Sequence, residues 1–125
     1  MIGIAVDSSS IQRTFAGIDG PDTRAVKKAL ASRQAALPPT VLAEVFSYGG
    51  LSSDDAEQLL TIPLLEIRNG YWMRAGLLRR RVRALGVRAN LPDVLIAQSC
   101  IDHDIPLITY DRDFRHFTDA GLILV

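Results

Sequence analysis

DVLIAQSCIDHDIPLITYDRDF, Asp93 to Phe114, is the stretch on which the fold turns. Pro92 suits the first turn of a helix, so Asp93 stands at a helix N-terminus ahead of the apolar run Val94 to Ala97. Asp102-His103-Asp104 ends that helix, where a histidine favours the negative end of the dipole. Pro106 to Thr109 follows as a short apolar strand, and the segment DRDF leaves it as a loop or helix start carrying Asp111 and Asp113. Helix, strand and acidic loop in this order belong to an alternating α/β chain.

The alternation extends outward from there. Ile2 to Val6 is a β-rich run meeting Asp7 and three serines, a strand that ends in helix-capping residues. Ile18 to Asp22 is a turn, and Asp22 starts a helical pattern through Ala25, Val26, Ala29 and Leu30. Ala35 to Leu37 reads as a short strand, closed by Pro38-Pro39. Thr40 is placed to cap a helix with Glu44 in its second turn. A further helix spans Ser52 to Leu60, where Ser52 and Ser53 can cap and Asp54 and Asp55 complement the dipole. Pro63 to Ile67 and Leu122 to Val125 read as strands. Tyr71, Ala75, Leu78, Val82 and Leu85 recur at intervals of 3 or 4, an amphipathic helix that Gly86 can terminate. The pattern predicts a three-layer α/β/α sandwich around a mainly parallel sheet of about four to five strands.

Composition narrows the function classes. A chain of 125 residues has the size of one domain, and 48% hydrophobic residues are too many for disorder. Lys+Arg and Asp+Glu are both 14, so affinity for nucleic acid has to come from local segregation of charge. One cysteine, Cys100, excludes an internal disulfide and a Cys-rich zinc site, and fits a reducing cytosol. No run reaches the roughly 18 apolar residues of a membrane span, and the N-terminus lacks a basic leader, so a cytoplasmic protein is expected.

Asp7, Glu44, Asp93 and the pair Asp111 and Asp113 all fall at strand ends or near helix starts. In an open parallel sheet, ligands bind beyond the C-terminal strand ends, so these acids can converge. Convergence of carboxylates needs a hard cation or a shared proton. Taken singly, Asp93 also reads as dipole complementation and Asp7 as an N-cap. Glu44 shares its helix face with Val41, Leu42, Val45 and Phe46, which argues against a surface role.

VDSSS, TVLAEVFSYGG, GVRANLPDVLIAQSCIDHDIPLITYDRDF and the closing strand together resemble a PIN domain, specifically a small single-domain protein of the VapC toxin type. The resemblance covers nearly the whole chain, most specifically from Asp93 through the T-x-D-x-D-F ending at Phe114. It implies metal-binding carboxylates at Asp7, Glu44, Asp93 and Asp111, with Asp113 auxiliary and Ser9 and Thr109 orienting them. The implied activity is an endoribonuclease that uses Mg²⁺ or Mn²⁺ to hydrolyse RNA phosphodiesters. A carboxylate set without histidine or cysteine suits those ions better than zinc. Implied partners are an antitoxin protein that crosses the cleft and a second copy in a homodimer, touching through helices between Ser52 and Leu85.

Arginines cluster where such a site would need them: Arg74, Arg79, Arg80, Arg81, Arg83 and Arg88 in one span, Arg112 and Arg115 beside the last acids. Of these, Arg79, Arg80, Arg83, Arg112 and Arg115 are the candidates for RNA phosphate contact, against the alternative of a solvated helix face. Single-stranded or loop RNA is the expected target, because exposed bases there can be read. Tyr71 and Trp72 read as base-stacking residues or, at their helical spacing, as core or dimer interface. A haloacid-dehalogenase-like phosphatase also places an aspartate after its first strand, but expects a second two residues on, where this chain has Ser9. An RNA-processing nuclease without antitoxin and an inactive PIN-like binding module are the remaining alternatives.

Overall fold

The computed structural model describes residues 3–125. Three short strands, β1 (Ile4–Val6), β2 (Ala35–Ala36) and β3 (Leu107–Ile108), pair in the order β2-β1-β3, all parallel. Ile4 lies opposite Ala35, and Val6 opposite Ile108. The helices are α1 (Ser8–Phe15), α2 (Pro21–Ala31), α3 (Pro39–Ser47), α4 (Ser53–Leu60), α5 (Tyr71–Ala84) and α6 (Leu91–His103), followed by a 3-10 helix at Arg112–Ala120. They cover the sheet on both faces as a three-layer sandwich. Of the expected Ile2 to Val6 strand, Ile2 lies outside the described residues.

The sheet is narrower than the expected four to five strands. Leu64 makes one parallel bridge to Leu37, and Leu124 one to Leu107, so Pro63 to Ile67 and Leu122 to Val125 touch the sheet edges without forming strands. Pro63 has no N–H to donate and Leu64 is 45% exposed, so neither a ladder nor burial extends that pairing. Two other details differ. α3 begins at Pro39, whose fixed φ suits the first helical position, so Pro38 rather than Thr40 occupies the cap. Leu85, expected on the buried stripe of α5, is its C-cap and 65% exposed.

Elsewhere the periodicities hold. Tyr71, Ala75, Leu78 and Val82 are buried along α5, which packs mainly on α6, and Gly86 takes the left-handed φ of +79° that ends the helix. Ser52 caps α4 by accepting from the Asp55 N–H at 3.0 Å. Ala5, Val6, Leu107 and Ile108 are at most 1% exposed, as expected for strands covered on both faces. Phe114 and Phe117, both fully buried with ring centroids 6.1 Å apart, pin the 3-10 helix to this core.

The strand order has a direct consequence for function. From β1 the chain crosses to β2 on one side, then returns past β1 to β3 on the other. Such a reversal opens a crevice at the C-terminal end of the strand where it occurs. That strand is β1, and the residue leaving it is Asp7.

Candidate functional site

Asp7 is 3% exposed, a carboxylate that can stay in such a place only with partners. Two hydroxyls supply them. Ser9 Oγ and Thr109 Oγ1 each donate to Asp7 Oδ2 at 2.8 Å. Each hydroxyl oxygen also accepts a backbone N–H from the loop beyond β3: Ser9 from Tyr110 at 3.2 Å, Thr109 from Asp111 at 3.0 Å. The ends of β1 and β3 are thus tied together through one carboxylate oxygen, while Oδ1 has, among the described residues, only a 3.4 Å contact to Ser8 Oγ. That serine has a single proton, and its shorter contact, 3.0 Å, is to Glu44 Oε1 on α3.

A second group forms where α6 meets the loop after β3. Asp93, Asp111 and Asp113 each offer a carboxylate oxygen, all within 4.8 Å of one another. Local bonds hold them there. Asn90 caps α6 by accepting from the Asp93 N–H at 2.9 Å, and its amide returns a bond to Asp93 Oδ2 at 3.0 Å. Asp111 caps the 3-10 helix, its Oδ1 accepting from the Asp113 N–H at 2.9 Å.

The charges of the two groups reach each other. Burial pushes the Asp93 carboxyl up to about 6; the Asn90 bond opposes this, while Asp111, Asp7 and Glu44 add to it. Glu44 is raised too, first by burial and then by Asp7, with the Ser8 bond opposing. Acids that cost one another their ionisation are the pattern expected of a cation site. The donors are all oxygens, as Mg²⁺ or Mn²⁺ prefers, and ligands about 2.1 Å from such an ion lie about 3–4 Å apart, so small movements close the 4.8 Å triplet around one. Asp113 joins Asp111 in the triplet, though it is exposed where Asp111 is half-buried; Asp7 and Glu44 lie outside it but within its field.

The other residues singled out in the sequence sort by contact. Arg79 donates to the Ala89 carbonyl at 3.0 Å, and with Arg80, Arg83 and Leu91 lines a shallow groove next to the start of α6. Arg112 and Arg115 are exposed. Arg74 is committed elsewhere, in an ion pair with Asp102 at 2.6 Å. Asp102-His103-Asp104 does end α6: Asp102 takes Arg74, His103 Nε2 lies 2.8 Å from the Glu66 carbonyl oxygen, and Asp104 is the left-handed C-cap. Tyr71 is core, its hydroxyl donating to the Leu95 carbonyl at 2.6 Å, whereas Trp72 is 66% exposed. Cys100 is buried among apolar neighbours, which pushes its thiol up to about 12 and leaves no thiolate. An apolar cleft of about 360 Å³ between α1, α3 and α4 is lined by Asp55 but by none of Asp7, Glu44, Asp93, Asp111 and Asp113.

Sequence reasoning missed three residues near the acids. Ser8 was one of a serine run, and its bond to Glu44 spans 36 positions. Arg13 and Tyr110 have no motif, and meet only in the fold, with the guanidinium 3.6 Å from the ring centroid.

Solved structures share this architecture. The structure superposes on the VapBC2 complex of Rickettsia felis bound to a DNA fragment from its promoter (TM-score 0.75, 18% identity, covering 100% of this chain and 98% of that one). VapBC-1 of nontypeable Haemophilus influenzae gives a TM-score of 0.71 at 18% identity, with 100% and 97% covered. VapBC-5 of Mycobacterium tuberculosis, from the VapBC family of toxin-antitoxin systems, gives 0.64 at 22% identity, with 99% and 95% covered. No curated protein sequence matches significantly. At these identities the likeness is one of fold. The family model for the PIN domain, however, matches residues 4–120 of the sequence itself, and the chain belongs to the PIN domain family.

Proposed function

We propose that this protein is a metal-dependent endoribonuclease that hydrolyses RNA phosphodiester bonds, acting as the toxin of a toxin-antitoxin pair. The observation that carries the reading is the convergence of Asp93, Asp111 and Asp113 beside Asp7 and Glu44, at a cost visible in the raised Asp93 carboxyl. A fold tolerates such mutual repulsion where a cation relieves it. Membership of the PIN family supports a nuclease, and the VapBC complexes of the same fold support an antitoxin as partner.

In this reading Asp93, Asp111 and Asp113, together with Asp7, would hold Mg²⁺ or Mn²⁺. When bound, the ion would supply positive charge to the phosphodiester and make water a better nucleophile at neutral pH. Ser9 and Thr109, both bonded to Oδ2, keep Asp7 from rotating. Glu44, with its raised affinity for protons, is suited to take the proton that the attacking water loses. Because the acids repel RNA, the backbone has to be held by positive charge, for which Arg79, Arg80 and Arg83 and the exposed Arg112 and Arg115 are the candidates. A homodimer would use the exposed apolar residues of α5, Trp72, Met73 and Leu77 among them.

The test is cleavage of single-stranded RNA, with a DNA strand of the same sequence as control, in Mg²⁺, Mn²⁺ and EDTA. Asp7→Asn and Asp93→Asn should each lower the rate roughly 100-fold, and chelation should abolish it. Cleavage that survives EDTA or both substitutions would sink the reading.

A further inference from the structure

Tyr110 lies between Thr109 and Asp111, both engaged in the acid site, yet it is 59% exposed. Burial does not explain a large aromatic there. Its position is nonetheless closely held. The backbone N–H is bonded to Ser9 Oγ at 3.2 Å, and the ring sits over the Arg13 guanidinium, 3.6 Å from the centroid. Arg13 is itself fixed by a two-pronged ion pair, Nε to Asp22 Oδ2 at 3.0 Å and Nη2 to Oδ1 at 3.2 Å. Asp22 accepts a further bond from Ser10 Oγ at 2.8 Å, and its side chain is 9% exposed. Arg13 already has its counter-charge in Asp22, so the ring is not needed to satisfy it.

We infer that Tyr110 is the stacking platform for a nucleobase of the RNA bound at the acids, with Arg13 as the residue that positions it. This rests on the ribonuclease reading above. One face of the ring is covered by the guanidinium and much of the residue is open, so a second flat group can lie against it. The freedom that an unrestrained side chain would lose on binding is already lost, which favours association. Stacking accepts any base, because each has a π-face, and it selects single strands whose bases are not already stacked. The Tyr110 N–H is bonded to Ser9, which itself donates to Asp7, so the platform is anchored at the acid site.

The probe is a short single-stranded RNA carrying 2-aminopurine, whose fluorescence falls when the base stacks. In EDTA, the wild type should quench it on binding. Tyr110→Ala should lose the quench and bind about tenfold more weakly, while Tyr110→Phe keeps both. With Mn²⁺ present, Tyr110→Ala should raise KM about tenfold and leave kcat nearly unchanged. Arg13→Gln should reduce the quench in the wild-type background and add nothing to Tyr110→Ala, a dependence that a purely structural role would not produce. A protein that cuts RNA with the same KM and the same quench after Tyr110→Ala overturns the platform and leaves the ribonuclease standing. A wild type that neither binds nor cuts RNA overturns both.

Discussion

Replacing Asp93 by Asn should make the metal-free protein more stable at neutral pH while removing its response to metal. The carboxyl is raised from its ordinary 3.8 to about 6, first by burial, against the Asn90 bond, and further by Asp111, Asp7 and Glu44. The fold therefore holds a proton on Asp93 that the unfolded chain gives up. This contribution to stability is fully present below pH 3.8 and is lost as pH rises through about 6. Taken whole, the displacement corresponds to about 3 kcal/mol. Asp93 is only partly buried, and solvent screening brings the expected cost of its charge to about 1–2 kcal/mol at pH 8. Asparagine removes that charge but keeps an oxygen for the Asn90 amide, so the helix cap survives. Urea denaturation in EDTA should find Asp93→Asn more stable by about that amount at pH 8, and by about half as much at pH 5. With Mn²⁺ at a hundred times its dissociation constant, the wild type gains about 2.7 kcal/mol that the variant lacks, and the order reverses. A variant less stable than the wild type in EDTA at pH 8, or a difference that ignores pH, refutes the reasoning.

Two further substitutions separate scaffold from site. Asp102→Ala strips the acceptor from both Arg74 and the buried amide of Gln98, bonded to it at 2.8 Å. It should cost about 2 kcal/mol in urea denaturation at pH 7. Burial alone would raise the Asp102 carboxyl, but the bonds from Arg74 and Gln98 win and lower it, so the advantage of the wild type should fade as the pH drops below the ordinary 3.8. Thr109→Val keeps the shape but loses the bond to Asp7 Oδ2 and the acceptor for the Asp111 N–H. It should lower stability by about 1 kcal/mol and weaken the Mn²⁺-induced rise in Tm, measured calorimetrically. An unchanged metal response would remove Thr109 from the site.

Local chemistry in the sequence foretold the features that depend on near neighbours. Pro92 placed Asp93 on the first turn of α6, and the spacing of Tyr71, Ala75, Leu78 and Val82 marked the buried face of α5. Strands judged only by apolar runs fared worse at the sheet edges, because Pro63 to Ile67 and Leu122 to Val125 have the composition of strands but find one bridging partner each. The acids were legible as residues at strand and helix ends, and their division into a triplet and an Asp7–Glu44 pair was not. That division depends on which hydroxyl or amide each acid meets across the fold, as Ser9 and Thr109 meet at Asp7 from 100 positions apart. Asp22 shows the same limit: its place at the start of α2 was readable, and its grip on Arg13 was not.

The single bridges at Leu37 and Leu107 bear on how other chains can approach. Backbone groups on the outer rims of a sheet invite strand addition, which runs to aggregation or to docking of an extended peptide. Here each rim is met by an irregular segment that makes a single bridge through two backbone hydrogen bonds, so an incoming strand finds those edge groups already taken. Recognition by another chain then falls to side chains on helices and at the crevice, where one substitution can alter a pairing without threatening the sheet.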